Sequence, residues 1–404
     1  MRQRLIVGWL GVVAGALALP AAAPAQFGEN YSVPNTPAVM TNAPILNHLP
    51  TANPGSAGFY TAAEFVLLTQ SRAIGSQVVA QRGFFDSQGL LTGVPGTFIG
   101  SGAVALSTDQ LGQASYAPGY RIYLGWKCED GTSVYADFMQ TFDTRRHAGA
   151  TLVPPGFRSA INLADTFISS PVYNFPTDYA GPINKLAQDA NIPANAYGIW
   201  NAASEMTIDY SQRYTEAEIA VRTPIFQTEY SRAYAIGGGK FAWFYDKFWW
   251  RTVSRDVNGV ANPEDTAIYS NILSQRMYGP EIGCGHELYA GKAVAVSLDL
   301  TAAALIDVVK ERARYKLGDE VNPTMNTTKW TNFRVVPNLN AAMNVWWYPL
   351  EGVQLRAGYQ AMMFFNVEQM DQPISFNFGA LDPVYKTTAF RWVHGVNFGV
   401  GLFF

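Results

Sequence analysis

The order in which long and short connections follow one another constrains this chain most. Segments with a period of two, in which side chains alternate between two faces, run from Phe59 to Gln70, Tyr120 to Trp126, Ser133 to Met139, Met206 to Thr223 and Ala233 to Trp250. They continue from Ala267 to Tyr289, Val294 to Val308, Phe333 to Trp347, Val353 to Phe365 and Phe390 to Phe404. The connections between them are 71–117, 128–131, 143–205, 224–230, 251–265, 290–292, 316–328, 349–351 and 367–386. Long or medium alternates with short throughout. A soluble sandwich with crossed connections has no reason to produce that order, whereas a meander closed on itself in a membrane has short turns at one end and longer loops at the other. The sequence therefore predicts an all-β fold: a transmembrane antiparallel up-and-down β-barrel of about ten strands. That even number leaves both termini at the turn end. Twelve strands stay open as an alternative if Gly100 to Leu106 or part of 143–205 adds a pair.

Two segments show the pattern in detail. From Val294 to Val308 one face reads Val, Val, Leu, Leu, Ala, Ala, Ile, Val, while Asp299 and Asp307 fall on the other. From Met206 to Thr223 the apolar parity changes, with Ile208 and Tyr210 even but Ala217, Ile219 and Val221 odd, so a β-bulge near Thr215 is expected.

The last strand ends on a large apolar residue. Phe390, Trp392, His394, Val396, Phe398, Val400, Leu402 and Phe404 share one face, and small or polar residues fill most of the other. In water such an end would fray and invite aggregation. The pattern Asn397, Gly399, Leu402, Phe404 resembles the terminal strand of bacterial outer-membrane barrels. That resemblance implies a role for these four residues as the signal read by the barrel-assembly machinery.

Arg2 and Arg4 precede an apolar run from Leu5 to Leu19, followed by small residues. This reads as an export signal over 1–25. Residues 26–57, rich in Pro, Asn, Ala and Thr, read as a periplasmic linker, and 58–404 as the barrel with long outer loops near 71–117 and 143–205. No later stretch is long and apolar enough to span a bilayer as a helix, so strands must do it. The charged fraction is 15%, against about a quarter in soluble domains. The net charge of −3 points to no nucleic-acid partner. The expected partners are outer-membrane lipid, the assembly machinery and small polar solutes; the expected location is the bacterial outer membrane.

Inward faces carry Glu64, Arg121, Lys127, Asp137, Glu216, Glu218, Arg222, Asp299, Asp307, Arg334, Arg356 and Arg391. Of these, Arg121, Asp137, Asp299, Asp307, Arg334, Arg356 and Arg391 are candidates for a charged constriction, since rings of charged side chains set pore selectivity. The expected function is porin-like passive diffusion through a narrow lumen. The alternative is a non-conducting structural or adhesive surface barrel whose interior is filled by ion pairs, because small barrels are packed with side chains. A hydrolase acting at the outer rim is a third reading. Its seed would be His147 with Asp143, Asp165 and Asp178, but no nucleophile elbow, phosphate loop or HExxH is present. The sequence is accordingly read as no enzyme, without cofactor or metal. Cys128 and Cys284 fall on strands that are not neighbours, which argues for two separate thiols.

The arrangement as a whole resembles a family of bacterial outer-membrane β-barrel porins, the β-barrel porin-seven type. The resembling pieces are Phe59–Leu68, Gly119–Trp126, and Ile208-Asp209-Tyr210 leading into Ala217-Glu218-Ile219. The resemblance covers most of the chain from residue 59 and implies fold and location; no functional residue follows from it.

Overall fold

A computed structural model of the protein describes residues 57–86, 89–152, 166–174, 199–228, 230–255, 259–291, 293–318, 324–350 and 352–404. The expected export signal and nearly all of the linker lie outside them. The barrel strands are β1 Gly58–Gln70, β2 Ala117–Lys127, β3 Ser133–Thr141 continuing as Thr144–Thr151, β4 Glu205–Gln227, β5 Ser231–Val253, β6 Thr266–Gly291, β7 Val294–Leu317, β8 Thr324–Leu350, β9 Val353–Gln372 and β10 Val384–Phe403. They form one sheet of eleven segments. Both parts of β3 edge β4, Ser133–Gln140 along its second half and Thr144–Thr151 along its first. Eleven segments less one shared strand give ten. Every neighbouring pair is antiparallel, and the ring closes where β10 pairs β1 from Tyr60↔Phe403 to Gln70↔Val393. Closure of the ring gives every barrel strand two paired neighbours, which is what lets strands cross a medium that offers no hydrogen bonds.

The expected ten-stranded barrel is therefore present, and no further barrel pair occurs among the described residues. Val104–Ser107 pairs instead with Val78–Arg82, which also holds Ile168–Ser169, in a small separate sheet. No bulge interrupts β4 near Thr215; the extra residue at that place lies in β3, where Thr141 to Asp143 stand opposite Arg213 and Tyr214. The β4–β5 register runs unbroken from Glu205↔Val253 to Pro224↔Tyr234. Ile208, Tyr210 and Tyr214 all turn inward and are fully buried, while Ile219 and Val221 on the opposite parity are exposed. The chain keeps one parity, and the surroundings change chemistry along it.

That change organises the molecule. Toward the turn end the barrel is apolar outside and polar inside. Leu298, Leu300, Val345, Trp347, Phe398 and Val400 are exposed there, and Glu64, Lys240, Glu281 and Asn397 are buried. Val294 to Val308 is fourteen steps on β7. At roughly 3.3 Å per residue and a tilt of about 40°, it rises roughly 35 Å, enough for a hydrocarbon core with an aromatic girdle at either side. Phe59, Trp126, Trp347 and Phe404 stand at the turn end of this belt, and Tyr120, Phe142, Tyr278, Phe333 and Phe390 toward the loop end. β4 to β8 continue well past it, at 23 to 27 residues each, where about ten span a bilayer. Beyond the belt the polarity inverts to that of a protein in water. Trp250, Tyr269, Leu273, Val309, Ala313 and Tyr315 are buried inside, while Lys310, Arg312 and Arg314 face out. Apolar area leaves contact with water in both halves, by facing lipid in one and packing inward in the other.

Candidate functional site

Inward parity places the charged residues in the lumen, and packing sorts them into two storeys with an apolar floor between. The storey nearer the turns is a connected network. Arg121 meets Asp137 at 2.7 Å and Gln360 Oε1 at 3.0 Å, with Glu216 at 3.8 Å. Lys240, fully buried, lies 3.1 Å from Glu216 and 3.8 Å from Glu281. Arg356 Nε lies 3.0 Å from Glu64, and its guanidinium donates to the Tyr123 hydroxyl at 3.1 Å. Arg222 and Asp299 are 3.5 Å apart; Asp299 also accepts from Tyr234, and Glu218 accepts from Tyr135 at 2.5 Å. All of these but Glu281 and Tyr234 line a cavity of about 120 Å³.

Above it Met139, Tyr214, Phe244, Met277, Val336, Met362 and Phe364 close together across the lumen. The Phe244 ring stands 4.9 Å from both Tyr214 and Phe364. The second charged storey lies on the loop side of this floor. Arg391 grips Asp246 with both terminal nitrogens, at 2.6 and 3.0 Å, and donates to Gln70 at 2.8 Å. Its guanidinium carbon rests 3.9 Å from the centre of the Phe244 ring. Tyr210 and Gln212 add donors to Asp246 at 3.1 and 3.2 Å. Arg334 pairs with Glu368 and donates to the Thr387 carbonyl at 3.0 Å. Asp307, its register partner on β7, is fully buried with neither carboxylate oxygen hydrogen-bonded.

Over the second storey the loops fold inward. Trp200 packs 4.1 Å from Trp250, and Phe378 stacks 5.7 Å from Tyr269 and 4.6 Å from Tyr315. Ile74, Val79, Leu106 and Ile168, from loops 71–116 and 152–204, belong to the same buried cluster.

Arg121, Asp137, Asp299 and Arg356 thus share the storey nearer the turns, and Asp307, Arg334 and Arg391 the other; the seven do not form one ring. Sequence reasoning missed the partners that complete the pairs, namely Lys240, Asp246, Glu281 and Glu368. On β5 the signal was obscured by Gly237 to Gly239 and by aromatic residues on both faces, Trp243 and Tyr245 outward, Phe244 and Phe248 inward.

At the seam, Asn397 is buried beside Glu64, and Gly399 sits opposite Glu64 in register. Leu402 and Phe404 face out, with Phe404 donating its backbone N–H to the Phe59 carbonyl at 2.8 Å. His147 lies on the outward face of β3, 3.1 Å from Asp209, and Asp143 pairs with Arg213 at 3.6 Å. Asp165 and Asp178 lie outside the described residues. Cys128 and Cys284 are both free thiols.

No protein-family model matches the sequence, and no curated protein does. The barrel is similar to the outer membrane protease OmpT from Escherichia coli, with a TM-score of 0.42 and 9% identity over 86% of this chain and 97% of that one. It is also similar to a major outer membrane protein from Thermus thermophilus, with a TM-score of 0.27 and 8% identity over 85% of this chain and 99% of that one. A Pseudomonas aeruginosa FadL homologue gives a TM-score of 0.23 and 7% identity over 87% of this chain and 92% of that one. At such identities the likeness is one of barrel architecture and does not reach the porin family resembled by the sequence. One expectation is corrected: a protease stands among these barrels, so the reading of the chain as no enzyme does not hold as an exclusion. The chain is a closed antiparallel β-barrel with an apolar outer belt, the architecture it shares with these outer-membrane proteins.

Proposed function

We propose that this barrel, its short turns toward the periplasm and its long loops outside, is a closed scaffold that carries a folded loop assembly above the outer membrane, in preference to an open diffusion pore. The apolar floor carries this reading. Phe244, Phe364 and Tyr214 meet across the lumen, with Arg391 clamped to Asp246 directly above and the Trp200–Trp250–Phe378 cluster over that. A solute entering the 120 Å³ chamber meets hydrocarbon, then a buried ion pair, then a second hydrocarbon layer. Replacing one partner of such a pair leaves the other uncompensated, so the stack resists opening. The strands beyond the membrane belt fit the same role. They raise the loops on a rigid wall, and the loops pack as a core instead of connecting strands by the shortest route.

Purified protein in a planar bilayer tests the proposal. No stepwise conductance is expected at ordinary ionic strength. Discrete channel steps from unmodified protein, altered in ion selectivity by Arg391→Gln, would sink it and restore the constriction reading of Arg334 and Arg391.

A further inference from the structure

The outward faces of β5 to β8 change abruptly at the edge of the apolar belt. On its membrane side they present Tyr278, Ile306, Phe333 and Val335, all exposed. Arg276 of β6 shares a row with Val308 and Phe333 at the edge itself, and beyond it the strands present Lys247 of β5, Lys310 and Arg312 of β7 and Lys329 of β8. No outward position among the described side chains of these four strands holds an Asp or Glu; the strands' carboxylates, such as Asp246, Glu281, Asp307 and Glu311, turn inward and are buried. The chain as a whole is acidic at −3, so the bias belongs to this face.

The register makes the bias costly. Lys247, Ile272, Arg312 and Lys329 occupy one row across four adjacent strands. Arg312 and Lys329 are direct partners, about 4.8 Å apart in strand spacing, and like charges so placed repel. Aromatic rings frame the row: Arg276 lies 5.2 Å from the Trp243 ring centre and Lys247 3.8 Å from that of Trp249. A basic row that begins where hydrocarbon contact ends lies at the level of lipid headgroups, and the amphipathic rings suit the same boundary.

We infer that this face binds the phosphate-bearing headgroup of an outer-leaflet lipid, with phosphates among Lys310, Arg312 and Lys329 and acyl chains on Ile306, Phe333 and Val335. Charge complementarity and continuity with the lipid-facing belt favour a lipid over an acidic protein, since a protein at this level would have to displace the acyl chains from the rows beneath. The site rests on the barrel's membrane placement and is independent of whether the lumen conducts.

The test titrates full-length protein in detergent with diphosphoryl lipid A, its dephosphorylated form and polyglutamate. Binding of the diphosphoryl lipid should weaken with added salt. Each of Lys310→Gln, Arg312→Gln and Lys329→Gln should weaken it roughly fivefold, and the triple variant on the order of a hundredfold. Lys386→Gln, on the outward face of β10, should leave it unchanged. Unaltered heat-dependent gel migration reports an intact barrel; if the triple variant does not fold, the single variants decide. Equal affinity for the dephosphorylated lipid, undiminished binding by the variants, or polyglutamate binding as tightly as the lipid would each overturn the inference.

Discussion

Glu64 and Gly399 face each other across the seam where the last strand closes on the first, and a Cβ at Gly399 would lie 2.4 Å from Glu64 Cγ. The glycine is therefore spatially required. It leaves room for the carboxylate that holds Arg356 at 3.0 Å from the neighbouring strand. Gly399→Ala should push Glu64 aside, strain the seam and lower stability by about 1–3 kcal/mol, read as a lower urea midpoint in refolded vesicles. Combined with Glu64→Ala it should be clearly less than additive, because both changes strike one pair. Simple additivity would mean that the glycine serves assembly without shaping the seam.

Arg391 and Asp246 are 1% and 0% exposed and bonded through both guanidinium nitrogens. Arg391→Met leaves a buried carboxylate facing Phe244 and should cost about 3–5 kcal/mol. Arg391→Met with Asp246→Leu should recover most of that loss, since a buried pair exchanged for packed apolar groups is often neutral. Chemical unfolding of the two variants, followed by tryptophan fluorescence, distinguishes the outcomes. An equally unstable double variant would mean that Gln70, Tyr210 and Gln212, left without their partners, carry the cost.

Outside the membrane, Asp86 caps a loop turn. Burial alone would raise its pKa, but the N–H groups of Thr92, Leu91 and Leu90, at 2.9, 2.9 and 3.0 Å, with the Thr92 hydroxyl, hold it below the ordinary 3.8. A depressed folded pKa stabilises the loop fully above the ordinary value, and the contribution is lost as pH falls through the folded one. Amide exchange at Leu90 to Thr92 should stay slow down to about pH 4 and accelerate beyond the intrinsic trend below it. Asp86→Asn should remove that acid-dependent step. An unchanged profile in the variant would assign the turn's order to Gly89 and Gly93 instead.

The barrel was legible in the sequence because lipid imposes one rule over its whole thickness. Val294 to Val308 and Phe390 to Phe404 obey it without a break, and the connections betray which end carries the loops. The rule stops at the membrane edge. Tyr210 and Ile219 belong to one regular strand, yet the first is buried in the lumen and the second exposed on the wall. An alternation judged by hydrophobicity alone therefore reads as a slip at Thr215, and Thr144–Thr151, lying wholly beyond the belt, passes for loop. The charged interior was legible residue by residue on β1, β2, β7 and β9. Its division into storeys was not, because the separating floor is made by inward residues such as Phe244, Met277 and Phe364, whose parity matches that of the charges.

That floor is also where closure can be tested by removal. Phe244 and Phe364 meet edge to face at 4.9 Å, and Tyr214 contacts both. Truncating one ring should cost about 3–5 kcal/mol and leave a cavity, with the remaining rings still spanning the lumen. Phe244→Ala with Phe364→Ala removes the two that join opposite walls and should join the lower chamber to the Arg391 storey. If the loop cluster around Trp200 is the weaker barrier, the double variant will show small, infrequent conductance steps where unmodified protein shows none. If it is the stronger one, steps will require loop residues 71–116 to be removed as well. Channel activity in Phe244→Ala alone, equal to that of the double variant, would mean that a single ring is the gate and that the barrel is built nearer to opening than its ion pairs suggest.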